Sequence, residues 1–136
     1  MTFEVKSPIL GFESTDSVIF TKVDEVFATV RDTKADHPQF TLINPYVLRE
    51  YSFDIPTPIR ILLDLNQDSN VHVYNIMVVM NPIEKSVVNF LAPLVFNENN
   101  MTVAQVVLAG RDYPDFGVAE EIGAYLQNGV NAAQPS

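Results

Sequence analysis

The sequence predicts an all-β, mainly antiparallel domain: a small closed or partly open β-barrel with a short helical C-terminal segment. Three observations predict it. Short runs rich in Val, Ile, Phe and Thr recur along most of the chain, several alternating apolar with polar residues, which is the period of a half-buried strand. The breaks between them are brief and built from Pro, Gly, Asn and Asp, short enough to join antiparallel neighbours. No strand–helix–strand rhythm and no internal repeat competes with this reading.

The elements follow in order. Residues 2–6 place Phe3 and Val5 on one face and Thr2, Glu4 and Lys6 on the other, before Pro8 and Gly11 impose a turn. Residues 17–23 and 25–32, separated only by Asp24 and Glu25, read as a hairpin or a bent pair. A further strand, 39–44, ends where Asn44 precedes Pro45, because a residue before proline is pushed out of the helical region. Residues 49–56 alternate again, with Tyr51, Phe53 and Ile55 on one face and Pro56 as the stop. The stretch 57–65 reads two ways: Thr57-Pro58 resembles a helix start, whereas Ile59, Ile61, Leu63 and Leu65 alternate as in a strand; the helix is preferred.

Three runs then predict the central strands. Residues 70–80 become apolar on both faces toward their end, 87–96 carry Val88, Phe90, Ala92, Leu94 and Phe96 in alternation, and 102–109 complete the set. Pro93 has no N–H to give a ladder, so a bulge or a change of neighbour is expected there. Residues 117–127 space Val118, Ile122, Tyr125 and Leu126 as an amphipathic helix would, with Glu120 and Glu121 in its first turn. One domain, 1–128, is expected, with 129–136 as a flexible tail.

Composition sets limits on function. A chain of 136 residues, 47% of them apolar, can bury a core without staples, and the absence of cysteine removes disulfides, thiolate metal sites and thiol nucleophiles together. No basic leader followed by an apolar core opens the sequence, and no apolar run approaches the roughly 20 residues that span a bilayer. A cytoplasmic location, away from membranes, is expected. Seventeen acidic against eight basic side chains give a net charge of −9, without an acidic block. A folded surface of that sign repels phosphates, so direct nucleic-acid binding is not expected, and a basic protein would be steered in.

Chemical motifs are sparse. His37 and His72 have no third ligand spaced near either, and the sequence holds no nucleophile elbow, dinucleotide fingerprint or phosphate cradle. Asp64, Asn66, Asp68 and Asn70 alternate like the opening of a calcium loop, but Ser69 stands where that loop needs glycine and Asn75 where it needs glutamate. A polar turn is the competing reading. No cofactor and no catalytic or metal residues are assigned, and a non-enzymatic protein is expected.

Four segments, SPILGFE (7–13), FTLINPYVLREYSFDIP (40–56), NVHVYNIMVVMNPIEKSVVNFLAPLVFN (70–97) and AQVVL (104–108), resemble in order and spacing the FliW family of flagellar assembly factors. The resemblance implies a binding regulator. Its partners would be flagellin and the carbon storage regulator CsrA, a small basic RNA-binding repressor of flagellin translation. Sharing one pool of the factor between them couples flagellin synthesis to export, a linkage that needs affinity and no bond chemistry. Candidate contact residues are Asn44, Pro45 and Tyr46, where a tyrosine past a strand end offers an apolar ring with a polar tip, and the acids Asp112, Asp115, Glu120 and Glu121. A packed turn tyrosine is the other reading of Tyr46. Two rival functions stay open: a ligand-holding barrel, which a filled interior would end, and a structural adaptor.

Overall fold

The computed structural model describes residues 1–35 and 39–125. Outside them fall His37, the last residues of the expected C-terminal helix and the expected tail. Seven strands form a closed ring: β1 (Thr2–Ser7), β2 (Ser17–Lys22), β3 (Phe27–Asp32), β4 (Gln39–Ile43), β5 (Val71–Val78), β7 (Leu94–Asn97) and β8 (Thr102–Gln105). Two short strands, β6 (Val87–Val88) and β9 (Glu120–Glu121), extend the sheet beyond β5. Neighbours are antiparallel except at the closure, where β1 runs parallel to β8 with Glu4 opposite Thr102.

Alternation decides what fills the ring. Phe3, Val18, Phe20, Ala28, Val30, Leu42, Tyr74, Leu94, Phe96 and Val103 point inward from successive strands and pack together with Ile9 and Phe12. The Phe3 and Phe96 rings meet edge to face at 5.0 Å between centroids, and Phe20 lies 5.2 Å from Tyr74. Ile9 and Phe12 reach this core because Gly11 turns the chain at φ +90°, a region open to glycine. A Cβ on Gly11 would meet the Phe40 ring at 2.7 Å.

β5, β7 and β8 are apolar on both faces because both are covered. Their outward residues Val73, Met77, Val95 and Ala104 join Ile43, Tyr51, Leu63, Val88, Phe90, Val106, Leu108 and Ile122 in a second buried cluster. The cover comes from residues 50–65 and 106–125. Within it, Thr57–Leu62 form the helix α1. That settles the ambiguous stretch, although the cap position falls on Pro56 and not Thr57. The chain beyond α1 is held by Asn97 and Asn100, whose side-chain amides both donate to the Leu63 carbonyl, at 2.8 and 2.9 Å.

Three strand or helix expectations are corrected. Residues 49–56 join no ladder. Their alternation is real, with Tyr51 buried and Phe53 and Ile55 partly so, but the side chains plug the second cluster, and the Asp54 amide donates to the Tyr113 hydroxyl. The run 87–96 is not one strand. It splits into β6 and β7, both antiparallel to β5, and 89–93 loop out between them, so that Val88 and Phe90 face the outer cluster while Leu94 and Phe96 face the barrel interior. The Pro93 carbonyl still accepts from the Val106 amide at 2.9 Å, and the proline, with no N–H to give a ladder, ends this loop just before β7 begins. Finally, 117–127 is not a continuous helix. Glu120 and Glu121 form β9 against β6, and helical backbone is confined, among the described residues, to 123–125. Apolar spacing cannot by itself tell a clasped extended segment from an amphipathic helix.

Candidate partner-binding surface

Asn44 follows β4 and caps the short 3₁₀ turn Pro45–Val47, its side-chain oxygen accepting the Tyr46 amide at 3.0 Å. Pro45 is buried, which anchors the turn and holds Tyr46 and Val47 outward. Tyr46 is 53% exposed. Its ring lies edge-on to Tyr51 at 6.1 Å, and partial burial pushes its hydroxyl pKa up. One edge of this tyrosine is packed and the other is offered to solvent.

Arg49, three residues after Tyr46, ties this turn to the C-terminal segment. Its guanidinium donates to the Asp115 carbonyl at 3.2 Å, to Glu120 Oε2 at 3.4 Å and to the Tyr125 hydroxyl at 3.0 Å. The same group sits 4.9 Å from the centre of the Phe116 ring, 5.2 Å from Phe90 and 5.5 Å from Tyr125, in the range where a cation is attracted to the ring face. Glu120 also accepts from the Gly117 amide and from the Tyr125 hydroxyl. Burial and the neighbouring Glu120 together raise the Tyr125 pKa. Tyr51 is a second pin. Its hydroxyl donates to the Phe90 carbonyl at 2.6 Å and receives the buried Asn75 amide, and burial pushes its pKa up to about 12.

These contacts bring together sequence-predicted residues that are remote in the chain: Tyr46 touches Tyr51, Tyr51 touches Phe116, and Arg49 reaches Asp115 and Glu120. Of the four acids, Asp112, Asp115 and Glu121 are exposed. Glu120 is turned inward to Arg49 and serves as a fastening. Glu120 and Glu121, with Glu84 and Lys85, line an open concavity of about 560 Å³ between the 82–85 turn and residues 119–124.

Beside it lies an apolar face that sequence reasoning did not assign. Val78, Val79, Met80 and Ile83 are exposed where β5 ends, and Val118 is 65% exposed. Val78, Val118 and Leu10 border a groove of about 250 Å³ with Gln105 at its base. The signal was present in residues 78–80, three consecutive apolar side chains at and beyond the end of β5 that the structure leaves exposed. Arg49 gave no signal, since its role depends on rings contributed by Phe90, Phe116 and Tyr125.

The suspected calcium stretch is a turn whose polar atoms serve the backbone: Asn66 accepts from the Asp68 amide and Ser69 from the Asn66 amide. Among the described residues no three His, Asp or Glu side chains are grouped to hold a metal, and no helix is long and apolar enough to cross a membrane.

The class defined by these features is a closed seven-stranded β-barrel with a clasped outer layer and an apolar, acid-rimmed face. Comparison with known proteins gives the family. The family described as FliW protein matches residues 1–118. Flagellar assembly factor FliW 2 of Wolinella succinogenes is 47% identical over 134 residues, covering 98% of each chain. Flagellar assembly factor FliW 1 of the same organism is 50% identical over 93% of this chain and 99% of its own length, and that of Sulfurimonas denitrificans is 42% identical over the same shares. The chain belongs to the FliW family of flagellar assembly factors. A crystal structure of the flagellar assembly factor FliW superposes with a TM-score of 0.79 at 20% identity, over 89% of this chain and 84% of that one, a likeness of fold.

Proposed function

We infer that this chain acts in the cytoplasm as a non-catalytic regulator that binds unpolymerised flagellin and, alternately, the carbon storage regulator CsrA, so that flagellin export controls flagellin translation. Membership of the family carries the general role in flagellar assembly. The observation that favours a binding role at this surface is the contiguous exposed apolar face of Val78, Val118 and Leu10 next to an acidic concavity, since exposed apolar patches with a polar rim mark interaction sites. Tyr46 is the aromatic anchor of the reading and Asn44 and Pro45 its support. Asp112, Asp115 and Glu121 supply charge that suits a basic partner.

A competition experiment tests the reading. Gel shift of a flagellin leader RNA by the repressor should weaken on titration with this protein and recover when unpolymerised flagellin is added. An unchanged RNA affinity at saturating protein overturns the regulatory half, and equal binding to filaments and monomers overturns the flagellin half. Association with the repressor should also slow as salt rises from about 50 to 500 mM, where the screening length contracts from over 10 Å to about 4 Å. Neutralising Asp112, Asp115 and Glu121 together should flatten that dependence, whereas a salt-independent on-rate in the unaltered protein removes the electrostatic part.

A further inference from the structure

The turn that ends α1 borders a cavity of about 310 Å³, lined by Ile55, Arg60, Leu65, Asn66, Gln67 and Val71. Asp64 has left-handed backbone at φ 54°, and the Leu65 amide reaches back to the Arg60 carbonyl at 2.9 Å, the long bond that closes many helix ends. The chain so returned puts Leu65 on one cavity with Ile55 and Val71, each of them only partly buried and with apolar surface left open. None of these residues lines the acidic concavity or the apolar groove assigned to protein partners.

Two observations give the cavity a chemical preference. The first is a cation without an anion. Arg60 Nε donates to the Ile55 carbonyl at 2.9 Å, which holds the guanidinium at the cavity wall, and its two terminal nitrogens have no partner among the described residues. Asp64, four residues on, is spaced to pair with it on a helix. Its left-handed backbone takes it out of α1, however, and no ion pair forms. Arg49, by contrast, is closed on Glu120 and the Tyr125 hydroxyl, and Lys85 shares its concavity with Glu84, Glu120 and Glu121. The second observation is the rest of the lining, which holds no acid and two carboxamides, Asn66 and Gln67. The Asn66 side-chain oxygen already accepts the Asp68 amide at 2.8 Å, so what it has left to offer is its NH₂ donor.

We propose that this cavity binds the single carboxylate of an aliphatic acid, its oxygens on the terminal nitrogens of Arg60 and its hydrocarbon on Ile55, Leu65 and Val71. A guanidinium presents paired N–H groups that match the two oxygens of a carboxylate, and the open apolar wall beside it favours a hydrocarbon body over a bare ion. The net charge of −9 opposes more highly charged anions. A free branched-chain acid and the C-terminal leucine or valine of a polypeptide both present this chemistry, and the experiment separates them.

Isocaproate, its neutral amide isocaproamide, and N-acetyl-leucine are titrated into the full chain and followed by NMR of the backbone amides and of the Arg60 Nε–H. Saturable shifts confined to Arg60, Leu65, Asn66, Gln67 and Val71 are expected, with both acids bound about tenfold more tightly than the amide, as a hydrogen bond to a charged group allows. N-acetyl-leucine bound more tightly than isocaproate marks a polypeptide end as the source, and the reverse order marks a free acid; either order supports the shared chemistry. Arg60→Met should bring the acids down to the level of the amide and leave the amide unchanged. Gln67→Glu, at an exposed position where the fold is spared, should weaken the acids alone by adding a like charge to the lining. Equal affinity of acid and amide for the unaltered protein, shifts that do not saturate or that centre on Lys85 or Arg111, a preference that survives Arg60→Met, or undiminished acid binding by the Gln67→Glu variant would each overturn the proposal.

Discussion

Inside the barrel, rings from β1, β2, β5 and β7 meet one another edge to face, and the strands that carry them are joined round a closed circuit of hydrogen bonds. Outside it, the second cluster is roofed by residues 50–65 and 106–125, which touch the sheet chiefly through side chains and through the two-residue pairing of β9 with β6. Its roof is fastened at particular points: Arg49 on Glu120 and Tyr125, Tyr51 on the Phe90 carbonyl, Asn97 and Asn100 on the Leu63 carbonyl. Closed ladders distribute a loss over many bonds, whereas a pinned layer concentrates it. The two regions should therefore fail differently, the barrel cooperatively and the roof locally.

The largest expected effect is in the barrel. Phe96→Ala removes a fully buried ring that contacts Phe3, Phe20 and Tyr74 and should cost about 3–5 kcal/mol in denaturant unfolding, in one transition. Leu63→Ala, equally buried but under the roof, should cost about 2–3 kcal/mol, because the chain above it can partly collapse. Equal costs would mean that the roof is as rigid as the barrel.

Next comes the fastening itself. Arg49→Met keeps the aliphatic stem but removes four side-chain hydrogen bonds, to the Glu50 and Asp115 carbonyls, Glu120 and the Tyr125 hydroxyl, and the cation between Phe116, Phe90 and Tyr125. A loss of about 1–3 kcal/mol is expected, limited because the Arg49–Glu120 pair is partly solvent-screened, with side chains 17% and 26% exposed. Hydrogen exchange carries the sharper prediction. The Phe90 and Ile122 amides, bonded to the Gly117 and Ser86 carbonyls, should lose protection while those of β1 and β2 keep theirs; uniform loss across all strands would break the distinction between the regions.

A smaller effect depends on pH. Burial raises the Tyr51 pKa from 10.0 to about 12, so above pH 10 the unfolded chain loses this proton before the folded one does. The stabilisation is fully present below pH 10 and is lost as pH rises toward about 12. Tyr51→Phe should make the stability curve shallower in that window, and an unchanged slope would mean that the alkaline loss comes from Tyr46, Tyr74 and Tyr125.

The smallest expected effect lies at the β2–β3 hairpin, far from either cluster's centre. The Asp24 carboxylate accepts the Phe27 and Val26 amides, which lowers its pKa. Its contribution is present above the ordinary value of 3.8 and disappears as pH falls through the lowered one. Asp24→Asn should leave neutral stability nearly unchanged and lessen the acid dependence of the hairpin's exchange; a large loss at neutral pH would refute this ranking.

Most of the barrel was legible because its strands obey a local rule. Phe3 and Val5 share a face, as do Val18 and Phe20, and period-two alternation reports that directly. The roof was misread where the same rule has another cause. Tyr51, Phe53 and Ile55 alternate because they plug a layer rather than line a ladder, and Glu120 sits in extended backbone that its neighbours' spacing disguised as a helix. That Tyr46 follows a strand end was legible from Asn44 and Pro45; that its ring is half exposed came only with the structure. The apolar face was half legible, for Val78 to Met80 are apolar beyond what the outer cluster can cover. Arg49 could not be seen, since nothing local marks an arginine whose partners lie at positions 90, 116, 120 and 125.

The parallel pairing of β1 with β8 has a bearing on how the chain comes into being. Synthesis delivers β1 first and β8 after nearly all the rest, so the hairpin of β2 and β3 and its neighbour β4 can form on the emerging chain while β1 keeps an open edge. The ring closes only when Thr102–Gln105 leave the ribosome. Contacts between distant segments are slow to form because loop closure precedes any reward from them. For that interval, the first strand of this protein is an unpaired edge waiting for one of the last.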